Sequence, residues 1–521
     1  MSKAKNSQQT WLRSFLINPD DHLLSLAVLA AMCLSIWLIW SGKYPPFVDA
    51  ANVGYTGEVM HDLWRGGHHY DNWHALRPGA ISHLAFYRAY HLLRFVFAPV
   101  CALKVLVSVG VFGLPLATYS LVRALRLSPW LCLPAFALAF NTNLGMGFLP
   151  FVIGLPLLPA ALALIECNRR EPRAWRWWVL GGIVLLSPFV HFFLTVVLLP
   201  TVTVWLVLSH SGRPRVVALV MLAAEIAGLL FVYSHNHLLP PFEEIFQWVT
   251  FSERWDKFDR DVLSWTTDGC PALSFPWLLL AFVASLMLTR RTPRQERGLV
   301  AARLPVTLLM LFLLYQLGPA YISWPEPAWG FGARVAIALA LLLPLTATTA
   351  ARGWQRVMQC SPWVAFTFWH LCSLLAPFSA YDDATNSLAS LIPLVPKYST
   401  VLPLVGSEWM KESKAHSFGG FIGFVFRHTA TWVATETQSY QPYSFCDMGY
   451  HPIVCKNRLK APREQEGASL VRPQQLEHYD FVAVYANTER ARDHLKTLPM
   501  QLVKVAGDWS LWRPVLLAVK E

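Results

Sequence analysis

The chain has 521 residues, of which 55% are hydrophobic and 14% charged, and its mean hydropathy is positive. So little polar surface cannot cover a soluble globule of this length, which excludes a water-soluble enzyme and points to a membrane protein. The formal charge of +11 does not indicate nucleic acid, because the arginines sit in loops beside apolar runs and form no basic stripe with interleaved aromatics.

A bilayer crossing takes about 20 apolar residues. Read in chain order, the sequence predicts about eleven spans, at 23–41, 96–120, 128–141, 146–166, 177–190, 192–209, 216–234, 274–289, 304–320, 332–350 and 361–379. Trp37, Trp40, Trp130, Trp175, Trp177 and Trp178 flank these runs, where an amphipathic ring prefers the headgroup level. The first span runs straight into Trp37-Leu38-Ile39-Trp40 with no small-residue cleavage site, so it is expected to stay as an anchor.

Basic residues in short loops orient the spans. With Lys3, Lys5 and Arg13 on the cytoplasmic side, the same side receives Arg123 and Arg126, the Arg169–Arg176 group, Arg213 and Arg215, the Arg290–Arg303 group, and Arg352 and Arg356. The opposite short turns at Asn141–Gly145, Ser187–His191 and Gly318–Phe331 carry no Lys or Arg. An odd span count then places residues 42–95, residues 235–273 and the tail outside, with the N-terminus cytoplasmic and the C-terminus extracytoplasmic. The expected fold class is mainly α. A polytopic transmembrane helical bundle, residues 1–379, is followed by an extracytoplasmic α/β domain, residues 380–521, whose DFVAVY (Asp480–Tyr485) and LVKVA (Leu502–Ala506) runs read as strands. Cys446 and Cys455 lie in that tail and are a disulfide candidate in an oxidising compartment, the alternative being two unpaired thiols. Most other cysteines lie inside apolar runs and read as packing residues.

The first outer loop opens with PPFVDAANVGYTGEVMHDLW, Pro45–Trp64. Asp49 follows the first span closely, behind Pro45 and Pro46 and among apolar neighbours. A carboxylate so placed, where a hydrophilic and a lipid-borne reactant can meet, suits a general base. It equally suits the N-cap of the helix expected from Asn52 to Trp64. That helix carries Tyr55, Glu58 and Asp62 on one face, and Val59, Leu63 and the Met60/Trp64 pair toward the bilayer surface. His68, His69, Asp71 and His74, and likewise His235 and His237, lack the spacing of a zinc site and read as loop histidines. Asp259-Arg260-Asp261 has the form of a metal-binding acidic motif, a solvated surface being its alternative. No metal ligand is assigned, and a divalent metal is left open.

An Asp in the first external loop, an interfacial helix behind it, about eleven spans and an extracytoplasmic tail resemble the GT-C superfamily of integral membrane glycosyltransferases. The segments NLGMGFLPFVIGLPL (Asn143–Leu157), SPFVHF (Ser187–Phe192) and GFGARVAIALALLLPL (Gly330–Leu345) are similar to parts of uncharacterised bacterial members, as are YDFVAVY (Tyr479–Tyr485) and GDWSLWRP (Gly507–Pro514), more loosely, in the tail. The resemblance implies transfer of a sugar from a polyprenyl-phosphate-linked donor to an extracytoplasmic glycan, lipid or protein acceptor, at the bacterial inner (cytoplasmic) membrane. Such a reaction needs a base for the acceptor hydroxyl and positive charge for the departing phosphate.

Asp49 fits the first role, and Arg334 the second, snorkelling to the headgroups being its alternative. His191 is expected to contact acceptor or phosphate, or else to make a helix-end hydrogen bond. Glu58 and Asp62 are expected to shape the site, and Arg65, Arg77 and Arg88 are further phosphate candidates. Many relatives place a His four residues after the loop Asp, where this chain has Val53; His61 and Asp62 substitute in part. The acidic motif of oligosaccharyltransferases is also absent at Asp49. Two rival readings stay open: a transporter or flippase of a lipid-linked or polar solute, and a catalytically inactive assembly protein of the same architecture.

Overall fold

A computed structural model describes residues 19–79, 82–212, 215–217, 246–263, 299–322, 328–346, 354–405, 426–447, 451–462, 471–485 and 489–515, with scattered helical positions between 219 and 283 and residue 468. The protein is mainly helical, with a small sheet region near its C-terminus. Five helices among the described residues are long and apolar enough to cross a membrane: His22–Trp40, Pro99–Ala124, Leu149–Arg170, Phe192–Ser209 and Val357–Leu394. Ala174–Val190, Ala302–Leu317 and Phe331–Thr346 are apolar but shorter.

Eleven crossings are therefore not supported. The apolar run 128–141 is not one continuous helix: Pro129 and Pro134 each start a new element, giving a four-residue 3-10 turn and a six-residue helix that ends at Ala139. The expected spans at 216–234 and 274–289, together with His235 and His237, lie largely outside the described residues, which include only scattered helical positions there.

The Pro99–Ala124 helix is the hub of the bundle. Its first residue is a proline, whose missing N–H costs nothing at that position. It packs against Pro19–Trp40, Pro134–Ala139 and Leu157–Arg170, while Leu116 and Val109 point outward, as do Leu23, Leu26 and Leu29 of the first helix. Phe331–Leu342 is buried along its whole length, between Phe192–Ser209 and Leu299–Leu317. At one end of the bundle Glu166 is completely buried and accepts from Arg169 at 2.5 Å, Arg170 at 3.1 Å and Arg303 at 3.4 Å. That cluster ties two helices together, because removing any partner would leave charge buried without compensation.

The Leu375–Ala389 helix runs through position 380, so the chain passes into its tail without a break in helix. The tail holds a four-stranded sheet in the order Val401–Val405, Phe481–Tyr485, Trp509–Pro514, Met500–Ala506, with the first pair parallel and the others antiparallel. Every residue of Phe481–Tyr485 is buried, as expected for an apolar run covered on both faces. Trp509 donates from its indole N–H to the Ala384 carbonyl at 2.9 Å, which seats the sheet on that helix.

Tail and first loop are knitted together. His74–Leu76 pairs antiparallel with Ile453–Cys455, and Arg77 donates to the carbonyls of His451 at 3.0 Å and Cys446 at 3.1 Å. Cys446 and Cys455 are joined by a disulfide with Cα atoms 5.3 Å apart. The Ala50–Trp64 helix forms where expected, but its setting differs: every residue from Ala50 to His61 is buried, including Val59 and Met60. It lies under the Thr431–Thr437 helix of the tail and against Leu84–Leu93, so no face is offered to a bilayer surface over that stretch. Tyr55 and Glu58 do not mark a solvated face, because both are buried and hydrogen-bonded inside the protein.

Candidate functional site

Asp49 stands at the N-cap position of the Ala50–Trp64 helix, yet its side chain makes no capping hydrogen bond. One carboxylate oxygen instead lies 3.3 Å from Nε2 of His428, a buried tail residue. The other imidazole nitrogen, Nδ1, meets the Asn52 amide at 2.9 Å, and Asn52 in turn accepts from Gln441 at 3.3 Å. Tyr55, one turn further on, lies 3.1 Å from His74 Nε2 and accepts the Gln441 backbone N–H.

The backbone of Asp49 is set by a turn from another part of the chain. Val48 and Asp49 donate their N–H groups to the carbonyls of Gly145 and Met146. Gly147 has a φ of +81°, and a Cβ there would stand 2.7 Å from the Asp49 nitrogen, so only glycine fits this approach. Asn141 starts the turn by accepting the Asn143 N–H at 2.8 Å, as an Asn cap does. On its far side, Asn143 donates from its amide to the Ala333 carbonyl at 3.1 Å, and Phe148 covers the next residue, Arg334, at 4.2 Å from ring centre to guanidinium carbon. The segment Asn141–Phe148 thus seats Asp49 on one side and Arg334 on the other.

Arg334 is buried, in the first turn of the Phe331–Leu342 helix, with Phe193 at 4.6 Å and Phe151 at 5.8 Å. Aromatic faces hold a guanidinium while leaving its N–H edge directed elsewhere. Enclosed in this way, it does not snorkel to headgroups. Three buried histidines cluster here, His83 and His191 within the field of the Arg334 charge: the ring of His83 is 4.7 Å from that of His191 and 5.3 Å from that of His451. Phe445 links the group onward, 4.8 Å from His451 and 6.1 Å from His428.

His83 occupies the left-handed region, with φ 66°. A non-glycine residue there costs about 1–3 kcal/mol and persists only where the surroundings hold it. His191 accepts the Phe193 N–H on Nδ1 at 3.0 Å, so its helix-end bond is present and its ring also reaches the cluster.

The other expected residues are engaged elsewhere. Glu58 is an acceptor for Tyr90 at 2.8 Å and forms an ion pair with Arg94. His61 pairs with His91 at 3.1 Å, and Asp62 accepts the backbone N–H of His69 at 3.2 Å. All three organise the first loop, away from the partners of Asp49. Arg77 holds tail carbonyls, Arg65 lies over Phe95 and Arg88 over Trp64. His74 is no exposed loop histidine; it is buried under its strand, and burial pushes its pKa down to about 4. Asp259-Arg260-Asp261 lies in the short helix Phe258–Leu263 and not in a loop, with Asp261 accepting from Tyr315 at 3.0 Å.

Among the described residues, the metal-ligating atoms that converge are those of His74, Cys446 and Cys455, within 4.8 Å of one another. Their two sulfurs are bonded to each other and so offer no thiolate. His83, His428 and His451 are the site residues that sequence reasoning missed. Comparison of the chain with protein-family models, with curated proteins and with solved structures finds no match.

Two predictions follow from this geometry. Gly147→Ala combines a left-handed φ with a clash against Asp49, whereas Gly66→Ala has a similar φ of +72° and nothing within 4 Å. Thermal unfolding in detergent should show Gly147→Ala destabilised by about 1–3 kcal/mol more than Gly66→Ala; equal effects would contradict the close approach.

The second concerns pH. Burial, with the Arg334 charge adding to it, pushes His83 down to about 3 from its ordinary 6.5. Burial first, then the His83 and Arg77 charges, hold His451 well below that value. The unfolded chain therefore binds protons more readily, and stability that is full above about 6.5 is lost as the pH falls toward the folded-state values. The melting temperature should drop between about pH 7 and 5, before most carboxylates titrate, and the drop should be shallower in His83→Gln. A pH-independent melting temperature over that interval would refute neutral buried histidines.

Proposed function

We propose that this chain is an integral membrane glycosyltransferase of GT-C type, moving a sugar from a polyprenyl-phosphate-linked donor to an extracytoplasmic glycan, lipid or protein acceptor. The observation that carries the reading is the seating of Asp49 and Arg334 by one turn, with a buried histidine cluster beside the arginine. A carboxylate and a guanidinium seated on one turn match the two charges that develop in this reaction.

In the proposed step the acceptor oxygen forms a bond to the anomeric carbon as the bond from that carbon to the phosphate oxygen breaks. The acceptor proton passes to Asp49. The bonding electrons leave with the polyprenyl phosphate, whose charge Arg334 stabilises. Attack from the side opposite the leaving group inverts the configuration at that carbon. The bias of arginines among the short loops supports a cytoplasmic N-terminus and an extracytoplasmic tail, and the reading places the protein in a bacterial inner membrane.

The test is transfer from a radiolabelled polyprenyl-phosphate sugar pool into extracytoplasmic glycan, at matched protein level. Asp49→Asn keeps the shape of the side chain but cannot take a proton; it should lower transfer by about 10²–10⁴-fold with donor binding nearly intact. Arg334→Ala should weaken both donor binding and turnover, since ground-state attraction is lost with leaving-group stabilisation. Wild-type transfer by Asp49→Asn would remove the catalytic assignment. Movement of an intact lipid-linked sugar across vesicles without transfer would favour a flippase.

A further inference from the structure

The contacts behind Asp49 have a direction. The backbone N–H of Tyr443 can only donate, and at 2.7 Å it fixes the Gln441 side-chain oxygen as its acceptor. The Gln441 amide nitrogen is thereby turned to the Asn52 oxygen, 3.3 Å away. Asn52 must then present its own amide nitrogen to His428 Nδ1, at 2.9 Å. A ring nitrogen that accepts carries no proton, so the imidazole proton sits on Nε2, the atom 3.3 Å from the Asp49 carboxylate. Reversing any one amide sets donor against donor or acceptor against acceptor. Gln441 and Asn52 are fully buried and His428 nearly so, leaving little room for water to repair such a mismatch.

We propose that Gln441, Asn52 and His428 form a hydrogen-bond relay of fixed polarity, anchored on the Tyr443 backbone amide, that presents an Nε2–H donor to Asp49. His428 is thus a positioning residue supplied by the tail to a carboxylate in the first loop. A neutral N–H orients one carboxylate oxygen without adding a second formal charge, and leaves the other oxygen to meet the acceptor hydroxyl. The role in turnover rests on the proposed function; the tautomer does not.

The experiment uses the full chain in detergent micelles with 15N-labelled histidine near neutral pH, the His428 signals being assigned by their loss in His428→Gln. In the wild type, Nε2 should carry the proton and Nδ1 should show the shift of an unprotonated ring nitrogen. Gln441→Glu keeps the Tyr443 contact but cannot donate to Asn52, whose amide should turn over and place a proton on His428 Nδ1. The same variant should lose about 10–100-fold in turnover with KM little changed, the usual cost of losing an orienting partner. His428→Gln, which offers an N–H near the Nε2 position, should retain more transfer than His428→Leu.

A wild-type His428 protonated on Nδ1, or a His428 spectrum unchanged in Gln441→Glu, overturns the relay whatever the activity. The stated tautomers in a protein that transfers no sugar would uphold the relay and defeat the proposed function instead.

Discussion

Asp49 and Arg334 lie 285 positions apart in sequence, and they can act on one substrate only if a single rigid feature fixes both. That feature is the Asn141–Phe148 turn. Its carbonyls at Gly145 and Met146 take the N–H groups of Val48 and Asp49, Gly147 lets the two backbones touch, and Asn143 with Phe148 grips the start of the arginine helix. Side chains set by backbone hydrogen bonds and a left-handed glycine have little freedom to drift, and spacing of this kind is what a two-charge reaction demands.

Enclosure supplies the rest of the environment. The Ala50–Trp64 helix is covered by the tail, and the tail is fastened to the first loop by a short strand pair, a disulfide and the Arg77 contacts. Burial holds His83, His191 and His451 below the usual histidine range, so these rings are neutral near pH 7. The site is composite: first loop, bundle and tail each contribute side chains, so a tail removed from the bundle would take His428 and His451 with it.

Much of the helical framework was legible because apolar runs of span length announce themselves by composition alone. Asp49 and Arg334 stand out in the sequence for a related reason, since an ionisable group beside an apolar run is rare enough to notice. What was not legible depended on tertiary pairing. The Asn52–Trp64 segment reads as a half-exposed helix, yet Glu58, His61 and Asp62 are satisfied by Arg94, His91 and the His69 backbone, partners that no helical periodicity predicts.

His428 sits 379 positions from Asp49, and nothing local distinguishes it from other tail histidines. The 128–141 run reads as one span by hydrophobicity, but Pro129 and Pro134 divide it into two short elements. The departure at Val53 looks different once His428 is in view: the imidazole beside the loop carboxylate comes from the tail and not from the next turn of helix.

The central claim is that Asp49 and Arg334 face one reaction space, and an electron cryomicroscopy structure of the full chain with a polyprenyl-phosphate sugar tests it most directly. The account predicts the lipid phosphate in hydrogen-bond contact with Arg334, beside His83 and His191, with the sugar between that phosphate and the Asp49 carboxylate. A lipid phosphate bound elsewhere on the bundle, with the Asp49–Arg334 space closed by protein side chains, would contradict it.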